Sequence, residues 1–253
     1  MNRNIEAAPV LADIGRINML FSWEAAPPGP RWRPLHRSAF TPQAVAAEVE
    51  RVRERLAGAA DIPARDVEWR VAASIFHQGL ATRLLSPVLA AALCHGAALR
   101  TDTVHWDPET TGPTVLRSNQ RWADPIAPDP AAVADHITAT VLTAVLEPVA
   151  AALGAVPRST GRVAPGLLHG NTASALAGAA RSLGSARPAA RAGAEDVVRL
   201  VTASPPLAGT GAYTGRGPDG TAVFGRTTCC LYYRVPGSGY CGDCALTPPG
   251  KTR

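Results

Sequence analysis

The sequence predicts an α+β fold: a mainly helical body, a small β-hairpin or sheet, and a short cysteine-bearing C-terminal tail. Three observations predict it. Long stretches such as QAVAAEVERVRERLAG repeat apolar residues at helical spacing between capping signals. One segment, ALRTDTVHWD followed by PETTG and PTVLRS, instead alternates and is β-branched about a turn. Four of the five cysteines, Cys229, Cys230, Cys241 and Cys244, crowd together near the C-terminus. A chain of 253 residues, 46% hydrophobic and 18% charged, buries a sizeable core and excludes wholesale disorder.

Residues 1–40 read as an irregular segment in which Pro27, Pro28, Pro30 and Pro34 alternate with Trp23 and Trp32, a loop pinned by aromatics. At Thr41 the pattern turns helical. Thr41 caps, Pro42 suits the first helical position, and Gly58 is the expected stop. A second helix is expected from about Asp66 to Leu85 and a third from Pro87 to Leu93, with the proline as the break. The hairpin spans roughly residues 98–118. Asp129 and Pro130 then open a long apolar helix. In LLHGNTASALAGAARSLG, Asn171 reads as an N-cap and Gly184 as a stop, and AEDVVRLV forms a further helix. The Pro/Gly-rich SPPLAGTGAYTGRGPDG leads to two short strands, GTAVFGR and CCLYYRV. The chain thus divides into residues 1–40, a helical body over 41–215, and a C-terminal segment over 216–253. No internal repeat is visible.

A net charge of +5 and a pI near 9.3 invite a nucleic-acid reading, yet Lys251 is the sole lysine and the arginines are spread along the chain. No basic run interleaved with aromatics occurs, so nucleic acid is not an expected partner. A mild positive field instead suits an anionic small molecule. The N-terminus lacks the apolar core of a secretory signal. SPVLAAALCHGAAL is broken by Pro87 and His95, VLTAVLEPVAAALGAV contains Glu147 and Pro148, and both read as buried helices of a soluble protein. Neither reaches the roughly 20 apolar residues of a transmembrane span. A cytoplasmic location is the expectation.

The cysteines follow the spacing CC-x10-C-x2-C. Cys241 and Cys244, around Gly242-Asp243, form a chelating turn. Cys229 and Cys230 are stranger, because adjacent side chains on a strand point to opposite faces. They serve one centre only if the backbone turns there, or if their sulfurs reach different metals of a cluster. VPGSG between the halves can fold one pair over the other. A reducing compartment disfavours disulfides. A thioredoxin-like motif would open a helix, which this one does not. Structural zinc and an iron–sulfur cluster both remain open on spacing alone.

The string RTTCCLYYRVPGSGYCGDCAL resembles the C-terminal signature of FhuF-type ferric-siderophore reductases, with Arg226, Tyr232, Arg234, Pro236 and Asp243 in the family's usual context. SIFHQGLATRLLSPVLAAAL and LLHGNTASAL resemble the body of the same family more thinly. The resemblance implies a 2Fe–2S cluster on Cys229, Cys230, Cys241 and Cys244, a cytoplasmic protein, and a ferric siderophore as substrate. Siderophores hold Fe(III) through hard oxygen ligands and Fe(II) far more weakly, so one electron releases the metal. A low-potential centre suits that task, near about −400 mV for plant-type clusters. No catalytic residue beyond the cluster is required. An external donor, ferredoxin-like or a flavoprotein, is implied, because GTGAYTGRG opens no helix and is no dinucleotide fingerprint.

For the substrate, Arg226 and Arg234 flank the cysteines, and His169 with Asn171 at the expected helix start could meet an anion. Tyr232 and Tyr233 read mainly as packing residues. Cys94, His77 and His95 read as core or rim residues, and His105 and Asp107 flank Trp106 without an evident partner. Two other readings stand beside the reductase: a non-catalytic, zinc-stapled siderophore- or protein-binding module, and a siderophore-biosynthesis protein. The second lacks any evident nucleotide site.

Overall fold

The computed structural model describes residues 4–108, 110 and 115–246. It is an α+β fold, mainly helical, with three small sheets. In chain order the elements are β1 (Ile5–Glu6), α1 (Ala7–Gly15), β2 (Glu24–Ala25), β3 (Arg33–Pro34), α2 (Pro42–Ala60) and α3 (Trp69–His95). They continue with β4 (Ala97–Ala98), β5 (Val104–Trp106), β6 (Leu116–Ser118), β7 (Trp122–Pro125), α4 (Pro130–Ile137) and α5 (Glu147–Gly154). Last come α6 (Pro165–Ala186), α7 (Arg191–Ala203), β8 (Gly211–Arg216) and β9 (Ala222–Arg226).

The core is organised on α3. A helix apolar around its whole circumference has no face to give to water, so it is buried on all sides. Here α6, α2, α1 and α4 pack around it. Leu84, Leu85, Val88 and Leu89 are wholly buried, each stabilising the fold by about 1.5–3 kcal/mol. Around this bundle lie the sheet β1-β7-β4, the sheet β2-β6-β5-β3, and the antiparallel pair β8-β9.

Several expectations hold. Thr41 Oγ1 accepts from the Ala44 amide at 3.1 Å with Pro42 at the first helical position, and Asp129 caps α4 through the amides of Ala131 and Ala132. The expected hairpin is β5-β6, antiparallel with Val104 opposite Ser118. The turn between them lies largely outside the described residues, as do residues 247–253 at the end of the expected C-terminal segment.

Other expectations are corrected. Pro87 does not divide two helices but sits inside the 27-residue α3. A proline in a helix leaves the carbonyl four residues back without its donor. That carbonyl belongs to Arg83, and the Trp23 indole N–H donates to it at 2.9 Å. Residues 1–40 are not uniformly irregular: α1 occupies Ala7–Gly15 and buries Val10, Leu11 and Ile14. Gly58 lies within α2, which ends two residues later with Asp61 in the left-handed conformation. CCLYYRV is not a strand; only Tyr232–Arg234 is regular, as a single 3-10 turn. The long apolar helix expected after Asp129 and Pro130, by contrast, holds through Pro148. Pro130–Gly154 is one continuous helix, its middle, Thr138–Leu146, wound in wide π geometry ahead of the proline. By length and composition it is apolar enough to cross a membrane, and Ile137, Val141, Val145 and Val149 on it are wholly buried in the core.

Candidate metal centre

The tail is folded by turns and by a few hydrogen bonds to the helical body. β9 delivers Arg226, whose amide donates to the Asp243 carbonyl at 3.2 Å and so ties the first cysteine pair to the second. The Thr227 amide donates to the Thr210 carbonyl at 2.9 Å. Thr228 lies against α6 at Gly170, where a Cβ would overlap the Thr228 hydroxyl; only glycine admits the tail this close. After Cys230 the chain reverses at Leu231, which is left-handed at φ 67°. This is the turn that adjacent cysteines require if both are to face one centre. Tyr233 stacks on Tyr240 with ring centroids 5.5 Å apart, closing the loop, and the Cys244 amide donates to the Cys241 carbonyl.

The four thiols gather together. Cys230 Sγ lies 3.8 Å from Cys241 Sγ, and Cys229 has both Cys230 and Cys244 as neighbours. The amides of Leu231 and Leu246 donate to Cys229 Sγ and Cys244 Sγ at 3.3 and 3.4 Å. The contact between Cys230 and Cys241 crosses between the CC and C-x-x-C halves. Its hydrogen bond with Cys241, aided by the Tyr232 backbone and Arg226, holds the Cys230 thiol down at about 6. The same bond, with burial and nearby Asp243, pushes Cys241 up, and burial raises Cys229. Cys230 and Cys244 are buried, whereas Cys229 and Cys241 are partly exposed.

A single tetrahedral ion with bonds of about 2.3 Å would bring all four sulfurs to about 3.8 Å from one another. Among the described residues, no three of His, Cys, Asp and Glu converge on one ion. The 3.8 Å between Cys230 and Cys241 is the separation of two thiolates on one metal, whether that metal stands alone or is one of two in a cluster. A second observation favours the cluster. Arg226 is 4% exposed, and its Nε and Nη1 are buried without a hydrogen-bond partner among the described residues. A buried cation with idle donors is costly unless an anion stands beside it. Next to it is Cys230, so a net-negative cluster on the thiolates fits the donor set and the idle guanidinium together.

The third nitrogen of Arg226 joins a buried polar chain. Nη2 donates to Asn171 Oδ1 at 2.5 Å, and Asn171 Nδ2 donates to the Ser74 carbonyl and hydroxyl, both at 2.9 Å. Ser74 Oγ then donates to the Cys230 carbonyl at 2.7 Å. The chain links α6, α3 and the tail.

The expected substrate residues are redistributed. α6 begins at Pro165, so Asn171 is in its interior, wholly buried, and caps nothing; His169 likewise lies within the helix rather than at its start. Gly184 falls inside the same helix, which ends at Ala186. Arg226 faces inward. Arg234 is held by Glu68 at 2.5 Å on the surface. Ser74, Gly170 and Glu68 are contacts of the tail that the sequence reading missed. Ser74 was the one with a signal: a serine on an otherwise apolar helical face.

Beside Cys241 a pocket of about 240 Å³ opens between α3 and α6. Gln78, Thr82 and Ser86 line it from α3, Ser174, Arg181 and Ser182 from α6, and Cys241 with Asp243 from the tail. It places polar groups and one cation next to a thiol of the cluster segment.

No curated protein matches the chain. Residues 226–246 match the family model of the FhuF 2Fe-2S C-terminal domain, a match that begins at Arg226 and takes in all four cysteines, so the tail is similar to that domain and supports a 2Fe–2S cluster.

Proposed function

We propose that this protein is a cytoplasmic ferric-siderophore reductase in which Cys229, Cys230, Cys241 and Cys244 hold a 2Fe–2S cluster. The observation that carries the reading is the gathering of four thiols, with Cys230 3.8 Å from Cys241, beside the idle guanidinium of Arg226. When bound, such a cluster supplies one-electron transfer at low potential.

The chain's own residues position and insulate. Ser74 and Asn171 fix the tail on α3 and α6, and Arg226 provides compensating charge from a site that water does not reach. Cys241 stands at the wall of the pocket described above, so a ferric complex docked over its mouth, with one arm entering beside Arg181, lies close to the centre. Closeness is what one-electron reduction requires; no proton donor or nucleophile has to be aligned. The iron leaves as Fe(II), for which the siderophore's oxygen ligands are a poor match. The electron comes from an external ferredoxin-like or flavoprotein donor, since GTGAYTGRG forms β8 and its approach rather than a phosphate-binding turn.

The test is a visible and EPR spectrum of anaerobically purified protein, before and after dithionite, followed by Fe(II) trapping from ferric siderophores of hydroxamate, catecholate and carboxylate type. A brown protein with a near-axial signal on reduction, releasing Fe(II) from one class, supports the proposal. A colourless protein containing one zinc after anaerobic reconstitution would overturn it in favour of a structural staple.

A further inference from the structure

A second concavity, of about 260 Å³, lies between α2 and α3 and shares no lining residue with the pocket beside Cys241. Its walls are apolar: Val52 and Leu56 from α2, Phe76 and Leu80 from α3, and Trp106 from β5. Two arginines, Arg55 and Arg83, stand in the same lining. Their neighbours Arg51 and Arg53 are paired with Glu48 and Glu50, but neither Arg55 nor Arg83 forms an ion pair among the described residues. Arg55 is exposed and Arg83 half-buried, and the two guanidiniums repel each other, so an anion between them gains attraction from both.

One further feature points to a ligand. Gly79 also lines the space, in mid-helix, where glycine costs about 1 kcal/mol relative to alanine. Its φ is not positive, and a Cβ built there meets nothing within 4 Å, so neither backbone nor packing demands it. What glycine does here is keep the pocket open.

We propose that this pocket binds a small organic carboxylate with an apolar body, its carboxylate between Arg55 and Arg83 and its body on Phe76, Leu80 and Trp106. At about 30 Å³ for each water-sized group the space takes roughly eight or nine non-hydrogen atoms, the size of an aryl or medium-chain acid. Burial and the proximity of Arg55 both push the Arg83 guanidinium down, so an anion beside it would be favoured. This reading is independent of the cluster and stands or falls without it.

The test is calorimetric titration of the full-length, cluster-loaded protein with octanoate, and with 1-octanol as the uncharged isostere. Saturable one-to-one binding of octanoate is expected, at least tenfold tighter than octanol. Arg83→Met should weaken it at least tenfold, and Gly79→Leu, which fills the pocket, should abolish it. Circular dichroism and the visible spectrum of both variants are compared with the parent to establish that they fold. Absence of saturable octanoate binding overturns the proposal, as does equal binding of octanol. Binding that survives Arg83→Met in a protein that folds overturns it too, and should Gly79→Leu fail to fold, Arg83→Met alone decides.

Discussion

Arg226 Nη2 donates to Asn171 Oδ1 at 2.5 Å, and this bond is the only one the buried guanidinium makes among the described residues. Asn171 is itself spent on Ser74, and Ser74 on the Cys230 carbonyl. Asn171→Ala therefore strips a buried cation of its last protein acceptor and frees Ser74 at once. A loss of about 3 kcal/mol in stability is expected, together with substoichiometric iron. Thermal unfolding and iron per chain measure both. Asn171→Asp, which keeps an acceptor, should retain more iron than the alanine variant.

Arg226 places positive charge beside the thiol cluster, and positive charge favours the added electron. Arg226→Met should shift the midpoint potential downward by about 60 mV or more, where about 59 mV is a tenfold change in a one-electron equilibrium. An EPR-monitored redox titration reads the shift. An unchanged or raised potential would show that the guanidinium serves folding alone.

Cys241 joins one thiol pair and stands at the pocket wall, while the helical core makes its contacts elsewhere. Cys241→Ser should abolish both the visible spectrum and Fe(II) release and leave the far-ultraviolet circular dichroism within a few per cent of the parent. Retained ferric reduction in that variant would contradict the proposed mechanism.

His77 is wholly buried on α3, and burial, with His169 nearby, lowers its imidazole from 6.5 to about 4. The unfolded chain therefore binds a proton that the folded one refuses. The stability this represents is complete above about pH 6.5 and is lost as pH falls toward 4, amounting to about 3 kcal/mol. His77→Gln removes that dependence. In urea unfolding from pH 7 to 4.5, the parent should lose stability relative to the variant; parallel curves would refute the assignment.

Trp23 supplies the donor that Pro87 cannot, at the Arg83 carbonyl. Trp23→Phe should cost about 1–3 kcal/mol for the orphaned carbonyl, beyond the loss of indole volume. In a Pro87→Ala background the alanine amide takes over, and the cost of Trp23→Phe should shrink by about 1 kcal/mol. Additive costs would show that the indole bond is incidental.

Residues that act through near neighbours in the chain were readable in advance. Thr41-Pro42 and Asp129-Pro130 open α2 and α4 because a cap bonds amides two or three residues away. The CC-x10-C-x2-C spacing announced a thiol centre in the same way, since the C-x-x-C turn closes on itself, and residues 226–246 carry the 2Fe–2S family match. What spacing could not choose between was one metal and two. The family match and the idle donors of Arg226 favour the cluster, while Leu231 reversing the chain lets both adjacent cysteines face one centre.

Tertiary structure decided the rest, wherever a polar group found its partner far along the chain. Pro87 read as a helix break because its local cost is real, yet Trp23, sixty residues away from Arg83, offsets it. Asn171 read as a cap because asparagine commonly caps, yet its amide is satisfied by Ser74 and Arg226 from two other elements. Arg226 and Arg234 looked alike in sequence; β9 buries one against α6, while Glu68 holds the other at the surface. A sequence states which groups need partners, and local geometry can be read from it. Which distant group meets that need is set only when the helices close around α3.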